Sequence, residues 1–343
     1  MKKILISAND PGGANSVVAL YDLLCQNGFE ILSIITGPAR DIWIKKGLPF
    51  IDGEGMTDEN VRAHLDGVVL FFAGTSAGQT FDKRILKLIN DLNVLSAKKI
   101  LSLYILDFWA NYWQRFSNTE KDFAYLPDFI CVPDAFAHDE MVAEGFDSKR
   151  IMITGNPHFD HFADSITKDR EDKNSILFVS QPLSALKTVG NYSDSGYDEF
   201  NAINDLEECL NGLNLVIRLH PKDIPKKYDS LISKNPSVTL SVDSSLEESI
   251  SRAGIVVGMN SPVLLQAAIA GKAVISYQPG LLGEDKLISN RLGLTDLVTE
   301  KDALQKKILD YKNGVFSGKN VVWPKNATEN VLKNIVLLLN GAL

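Results

Sequence analysis

The chain has 343 residues, 45% of them hydrophobic and 23% charged, with a formal net charge of -8. That length suits two domains of roughly 150 residues rather than one, and the mix is that of a globular protein without a disorder signature. The acidic balance excludes a basic footprint for nucleic acid, so an anionic substrate needs a local positive site.

Short apolar runs alternate with helix-period stretches along the chain, which is the α/β pattern. Strands are expected at residues 3–7, 31–36, 68–72, 100–106, 129–132 and 151–154. Helices are expected at 16–26, closed by Asn27-Gly28, at 81–92 and at 135–144. The charged stretch 164–173 breaks the pattern and reads as a linker, with Gly155-Asn156-Pro157 as the hinge before it. A second series follows, with strands at 176–179, 215–219, 238–240, 255–257 and 273–277. Its helices lie at 198–210, 246–252, 262–270 and 302–312, and a closing helix at 329–339 folds back over the first domain. Parallel sheets covered on both faces are implied. The expected domains are 1–160 and 161–325, with 326–343 as the returning helix. Two doubly wound, Rossmann-like domains facing across a cleft would bring their strand C-terminal ends, and their ligands, to that cleft.

Cys25, Cys131 and Cys209 are scattered and odd in number, as free thiols in a reducing compartment would be. The first apolar run breaks at Asn9-Asp10, unlike a secretory signal. Runs such as 100–106 fall far below the roughly 20 residues of a membrane span. The expected compartment is the cytoplasm, with peripheral association as the route to a membrane.

Several strand ends carry chemistry. The first leads into SANDPGGANS, residues 7–16. There Gly12 and Gly13 allow close backbone approach, and the helix start near Asn15 offers free N–H groups to an anion. Asp10 at the mouth of this loop is either a turn residue before a capped helix or a carboxylate base on the acceptor side. The third strand ends in Gly74-Thr75-Ser76-Ala77-Gly78, a plain loop or an acceptor-side lining. Asp107 ends another strand and opens the aromatic run ANYWQRF, which serves packing or acceptor contact. In the second series, VIRLHPKD ends a strand on His220-Pro221-Lys222. Pro221 fixes its own φ and biases His220 to an extended backbone. The imidazole then either satisfies a strand end or donates to a phosphate. Lys222 adds a positive charge. Farther on, Asn260 or Ser261 caps a helix with Pro262 in its first turn, which is also an anion site. Ser180 and Gln181 end the first strand of this series. No HExxH, CxxC or paired-aspartate motif calls for a metal.

Together these features resemble the GT-B superfamily of glycosyltransferases. The resemblance spans nearly the whole chain and rests on the Gly-Gly stretch, ITGNP at 153–157, FVSQP, RLHPKD and GMNSPVLLQAAIAGK. Within it, a His-Pro motif followed by a serine at a helix start is similar to the bacterial sialyltransferases and Kdo transferases that use CMP-sugars, and to polymerases that use CDP-glycerol. The resemblance implies that His220 assists the leaving nucleotide, that Ser261 beside Asn260 holds its phosphate, and that Asp10 is the base. Ser180, Gln181, Pro221 and Lys222 would line the nucleotide. Gly12, Gly13, Asn15, Thr75, Ser76 and Asp107 would line the acceptor. Relatives that use UDP-sugars carry a glutamate where this chain has Gln266, which points away from UDP. The acidic pair before a glycine found in some sialyltransferases is missing, since Asp52-Gly53-Glu54-Gly55 is not that pattern. The implied protein is a metal-independent inverting glycosyltransferase without a cofactor. It would move a CMP-activated nonulosonate or Kdo-type sugar to a glycan or lipid-linked acceptor in surface polysaccharide biosynthesis. A hydrolysing UDP-GlcNAc 2-epimerase and a non-catalytic nucleotide-sugar-binding protein are the rival readings.

Overall fold

The computed structural model describes residues 2–95, 98–167, 169–186, 195–243, 245–319 and 323–341. They form two units, one of residues 1–161 with 323–343 and the other of 162–322.

Unit 1 begins with β1 (Lys3–Ala8), α1 (Pro11–Val18), α2 (Tyr21–Gln26), β2 (Glu30–Ile35) and α3 (Ala39–Lys45). It continues through β3 (Ile51–Asp52), α4 (Asp58–His64), β4 (Val68–Gly74), α5 (Phe81–Leu95) and β5 (Leu101–Ile105). Then come α6 (Tyr112–Phe116), β6 (Phe129–Val132), α7 (Ala135–Glu144) and β7 (Ile151–Ile153), and the boundary between the units falls within α8 (Pro157–Ser165). The strands make one parallel sheet in the order β3-β2-β1-β4-β5-β6-β7.

Unit 2 starts with β8 (Asp172–Val179), α9 (Leu183–Leu186), α10 (Glu199–Glu208), β9 (Asn214–Arg218) and α11 (Asp229–Lys234). It goes on with β10 (Val238–Leu240), α12 (Leu246–Arg252), β11 (Ala253–Gly258), α13 (Val263–Ile269) and β12 (Ala273–Tyr277). It ends with α14 (Ile288–Arg291), β13 (Asp296–Val298) and α15 (Lys301–Lys312), and α16 (Ala327–Leu339) belongs to unit 1. The parallel order is β10-β9-β8-β11-β12-β13.

Buried strands explain why the apolar runs are continuous. In β8, Ile176 and Phe178 pack with Ile203 and Leu206 of α10 on one face. Leu177 and Val179 pack with Ile250 and Leu264 on the other. Val331, Ile335 and Leu338 of α16 join the core formed by Ile4, Ile6, Val17 and Leu70. No helix among the described residues is long and apolar enough to cross a membrane.

Three expectations are corrected. The helix expected at 16–26 is two helices, the first beginning at Pro11, because proline's fixed φ suits a first helical turn. Gly12, Gly13 and Asn15 therefore lie in α1 and not in a loop. The linker expected at 164–173 is shorter: α8 reaches Ser165 and β8 begins at Asp172, which already pairs with Ala253 of β11 ahead of a register shift. The short edge strands β3 and β13 were not expected from the sequence.

A Cβ on Gly74 would lie 2.4 Å from Gly13 backbone atoms, so α1 and β4 touch backbone to backbone. Gly74→Ala is expected to cost about 1–3 kcal/mol, because backbone cannot rotate aside. Gly78, in open space at φ +73, is the comparison site, where Ala costs about 1–2 kcal/mol through conformation alone. Calorimetry of the full chain checks both, and an unshifted Gly74→Ala transition would refute the contact.

Candidate functional site

Ligands of open α/β sheets bind outside the carboxyl ends of strands, where the strand order reverses. In unit 1 that point lies between β1 and β4. Asp10 is there, two residues past β1, with extended backbone (φ -86, ψ 147) ahead of α1. Its Oδ2 accepts the Ala77 N–H, just past β4, at 2.9 Å, and its Oδ1 accepts Asn9 Nδ2 at 2.9 Å. Asn9 is held in turn by Thr36 Oγ1 at 3.0 Å. A carboxylate has about four lone-pair sites, so this half-buried group can still receive a hydroxyl proton.

Asp107, past β5, is committed differently. Its Oδ1 accepts Thr75 Oγ1 at 2.6 Å and the Arg115 guanidinium at 2.9 Å. A Cβ on Gly12 would lie 2.0 Å from Asp107 Oδ2, so the glycine makes room for this carboxylate. The close approach that Gly12 and Gly13 permit is thus made to Asp107 and to β4. Arg115 was not singled out by sequence reasoning, because it sits inside the aromatic run. That run ends in α6, whose Tyr112 and Phe116 are buried as packing, as is Trp109 just before the run.

Beneath this end of the sheet, Ser76 Oγ, Thr80 Oγ1, both Asp82 carboxyl oxygens and Tyr104 Oη are buried without a hydrogen-bond partner among the described residues. Burial pushes the Asp82 carboxyl up. Thr80 and Lys83 bias it the other way, Thr80 without reaching hydrogen-bonding geometry. Lys83, itself buried, donates to the Gly78 carbonyl and so braces the loop that carries Ala77.

In unit 2 the order reverses between β8 and β11. Gln181, past β8, and Asn260, past β11, bridge this point with two bonds: Gln181 Nε2 donates to Asn260 Oδ1 at 2.8 Å, and Asn260 N donates to Gln181 Oε1 at 3.1 Å. With its side chain so engaged, Asn260 does not cap α13. Nor is Ser261 the cap: Pro262 is the N-cap residue and no side chain caps the helix, although Ser261 Oγ accepts the Val263 N–H at 3.3 Å. Gln266 is half-buried in the middle of α13.

His220 lies two residues beyond β9. Its Nδ1 accepts the Lys222 N–H at 3.1 Å, so the neutral ring carries its proton on Nε2. Burial lowers the imidazole pKa from the ordinary 6.5, Asp223 raises it, and Lys222 and Lys227 lower it further, with lowering prevailing. At neutral pH the group is an uncharged donor through Nε2. Pro221 and Lys222 are exposed beside it.

Behind His220 stands a buried network absent from the sequence reading. Asp223 Oδ2 accepts the His220 N–H at 2.9 Å and Ser180 Oγ at 2.7 Å. Ser180 Oγ also meets Tyr228 Oη at 2.7 Å. Lys227 pairs with Asp223 at 2.6 Å and with Glu199 at 2.7 Å, their side chains being 7%, 1% and 0% exposed. Glu199 accepts Ser184 N and Oγ at 2.9 and 2.6 Å. Burial pushes both carboxyls up, but Lys227 and the serine hydroxyls outweigh it and hold them below their ordinary values. The only sequence signal was the i,i+4 spacing of Asp223 and Lys227. Among the described residues no group of three or more His, Cys, Asp or Glu could hold a metal ion.

Each unit is a doubly wound parallel sheet with hydrogen-bonded polar groups at its reversal point, an α/β architecture of the GT-B type. The chain belongs to the family described as alpha-2,8-polysialyltransferase (POLYST), whose profile matches residues 86–276, more than half of it. No curated protein matches significantly. The fold is similar to the UDP-GlcNAc 2-epimerase of Methanocaldococcus jannaschii (TM-score 0.67, 14% identity, 97% of this chain and 99% of that one). It is similar too to the UDP-GlcNAc 2-epimerase of Neisseria meningitidis bound to UDP-GlcNAc (0.66, 14%, 98% and 100%). MurG of Acinetobacter baumannii also matches (0.57, 12%, 99% and 100%).

Proposed function

We propose that the chain transfers an acidic nonulosonate or Kdo-type sugar from a CMP donor to a glycan or other acceptor hydroxyl, with inversion. The family's name describes polysialyl transfer, and a sialyl group is such a sugar. Asp10 takes the proton of the acceptor hydroxyl as its oxygen bonds to the anomeric carbon. The anomeric carbon–oxygen bond to CMP breaks, and the phosphate leaves with the electron pair. His220 Nε2–H donates a hydrogen bond to that phosphate, Lys222 adds charge, and Ser261 with the backbone around Asn260 holds it. Ser180, Gln181, Pro221 and Gln266 shape the nucleotide's surroundings. Thr75, Ser76, Asn15 and Asp107 belong to the acceptor side, and Gly12 and Gly13 serve it by letting Asp107 and β4 approach α1. A single phosphate carries little enough charge for placed neutral donors to stabilise it.

The observation that carries this reading is the Lys222 N–H bond to His220 Nδ1, which leaves Nε2 as the donor at the end of β9, one strand from the unit 2 reversal point. The epimerase reading has the fold neighbours in its favour, and at 12–15% identity these speak for the fold alone.

A thermal-shift panel of CMP, CDP, UMP and UDP on wild type and His220→Ala tests the reading. Cytidine nucleotides are expected to raise the Tm of wild type, by about 2.7 kcal/mol in stability at a hundredfold excess over Kd, and to do so much less in the variant. Stabilisation by UDP alone would overturn the CMP donor in favour of epimerase-like chemistry.

A further inference from the structure

We infer that the buried Glu199–Lys227–Asp223 triad is the positioning device that sets the His220 ring and the Ser180–Ser184 stretch in one arrangement. β9 ends at Arg218, so sheet pairing does not hold His220. Its backbone is held by Asp223 from both sides: His220 N donates to Asp223 Oδ2 at 2.9 Å, and Asp223 N donates to the His220 carbonyl at 2.8 Å. That closed turn orients the Lys222 N–H toward Nδ1 at 3.1 Å, the bond that leaves the proton on Nε2. The tautomer therefore depends on where Asp223 stands.

Asp223 is placed by Lys227, and Lys227 by Glu199. Each member of the triad also ends on the stretch after β8. Asp223 takes the Ser180 hydroxyl at 2.7 Å, Lys227 reaches the Gln181 carbonyl at 3.4 Å, and Glu199 takes Ser184 through its amide and hydroxyl. Net stability is a poor explanation for such a triad, since apolar side chains of similar volume commonly match a buried ion pair. What apolar side chains cannot do is fix two polar loops in register through directional bonds. Asp223, Lys227 and Glu199 are accordingly positioning residues, acting through His220 and Ser180.

The test uses the full chain with 15N-labelled histidine, the His220 signals being assigned by their loss in His220→Gln. Wild type is expected to show one neutral tautomer, protonated on Nε2. In Asp223→Asn the signals should move toward a tautomer mixture, and kcat should fall about 10- to 100-fold with donor KM changed far less. Lys227→Arg, which keeps the cation, should retain the wild-type spectrum. If Asp223→Asn does not fold, Glu199→Gln reads the same shift from the far end of the triad. An unaltered tautomer in a folded variant overturns the inference. The kinetic arm rests on the leaving-group role proposed above, whereas the spectrum does not. Should His220→Ala leave transfer unchanged, that role fails while the tautomer result still decides the triad.

Discussion

Asp10→Asn is expected to lower kcat by about 10²–10⁴-fold, the range for removing a placed general base, while nucleotide binding in unit 2 is kept. The substitution nearly preserves shape, so the loss reads chemistry and not packing. In the native loop one carboxylate serves two donors, the Ala77 amide and Asn9 Nδ2. An asparagine offers a single oxygen and turns an NH2 toward one of them, which costs about 1 kcal/mol of stability. The assay is donor turnover with saturating acceptor, alongside nucleotide thermal shifts. Asp107→Asn is the instructive comparison. That carboxylate is already paired with Arg115 and Thr75, and its loss should appear mainly in stability. If Asp10→Asn turns over at the wild-type rate, the base lies elsewhere.

Lys227→Met is expected to destabilise the chain by about 3–5 kcal/mol, the cost of leaving a buried charge without its partner. Asp223 and Glu199 would remain 1% and 0% exposed with no cation between them. The pH dependence has a definite sign. In wild type both carboxyls are held below their ordinary values of 3.8 and 4.5. Their contribution is present in full above those values and is lost as the pH falls through the lowered ones. In the variant burial acts unopposed by the lysine, so both carboxyls take up protons more readily. The gap between wild type and variant should therefore be widest near neutrality and narrow in acid. Calorimetry at pH 7 and pH 4 measures it. Tryptophan fluorescence supplies an internal reference, because Trp43, Trp109, Trp113 and Trp323 all lie in unit 1. An equal deficit at both pH values would refute the ionic account.

Much of the candidate site could be read from strand ends. Asp10, Ser180, His220 and Asn260 each follow an apolar run closely, and a strand's period and its stop are local properties. The glycines show where such reading fails. Gly12 and Gly13 looked like room for a ligand, but the space they open is filled by Asp107 and by β4. Nothing near residue 12 in the chain announces a partner some ninety residues away. Arg115 was masked for a similar reason: Tyr112 and Phe116 turn inward with helical spacing, and the cation between them is seen only once α6 exists.

Local patterning alone thus settled the α/β alternation and which strand ends carry polar chemistry. Folding settled which of those ends meet. The orders β2-β1-β4 and β9-β8-β11 bring Asp10 to Ala77 and Gln181 to Asn260. They also leave Lys227 to find Glu199, which lies well back along the chain before β9. A buried ion pair or a backbone contact at a glycine depends on distances set by strand order and burial, and a one-dimensional pattern carries neither.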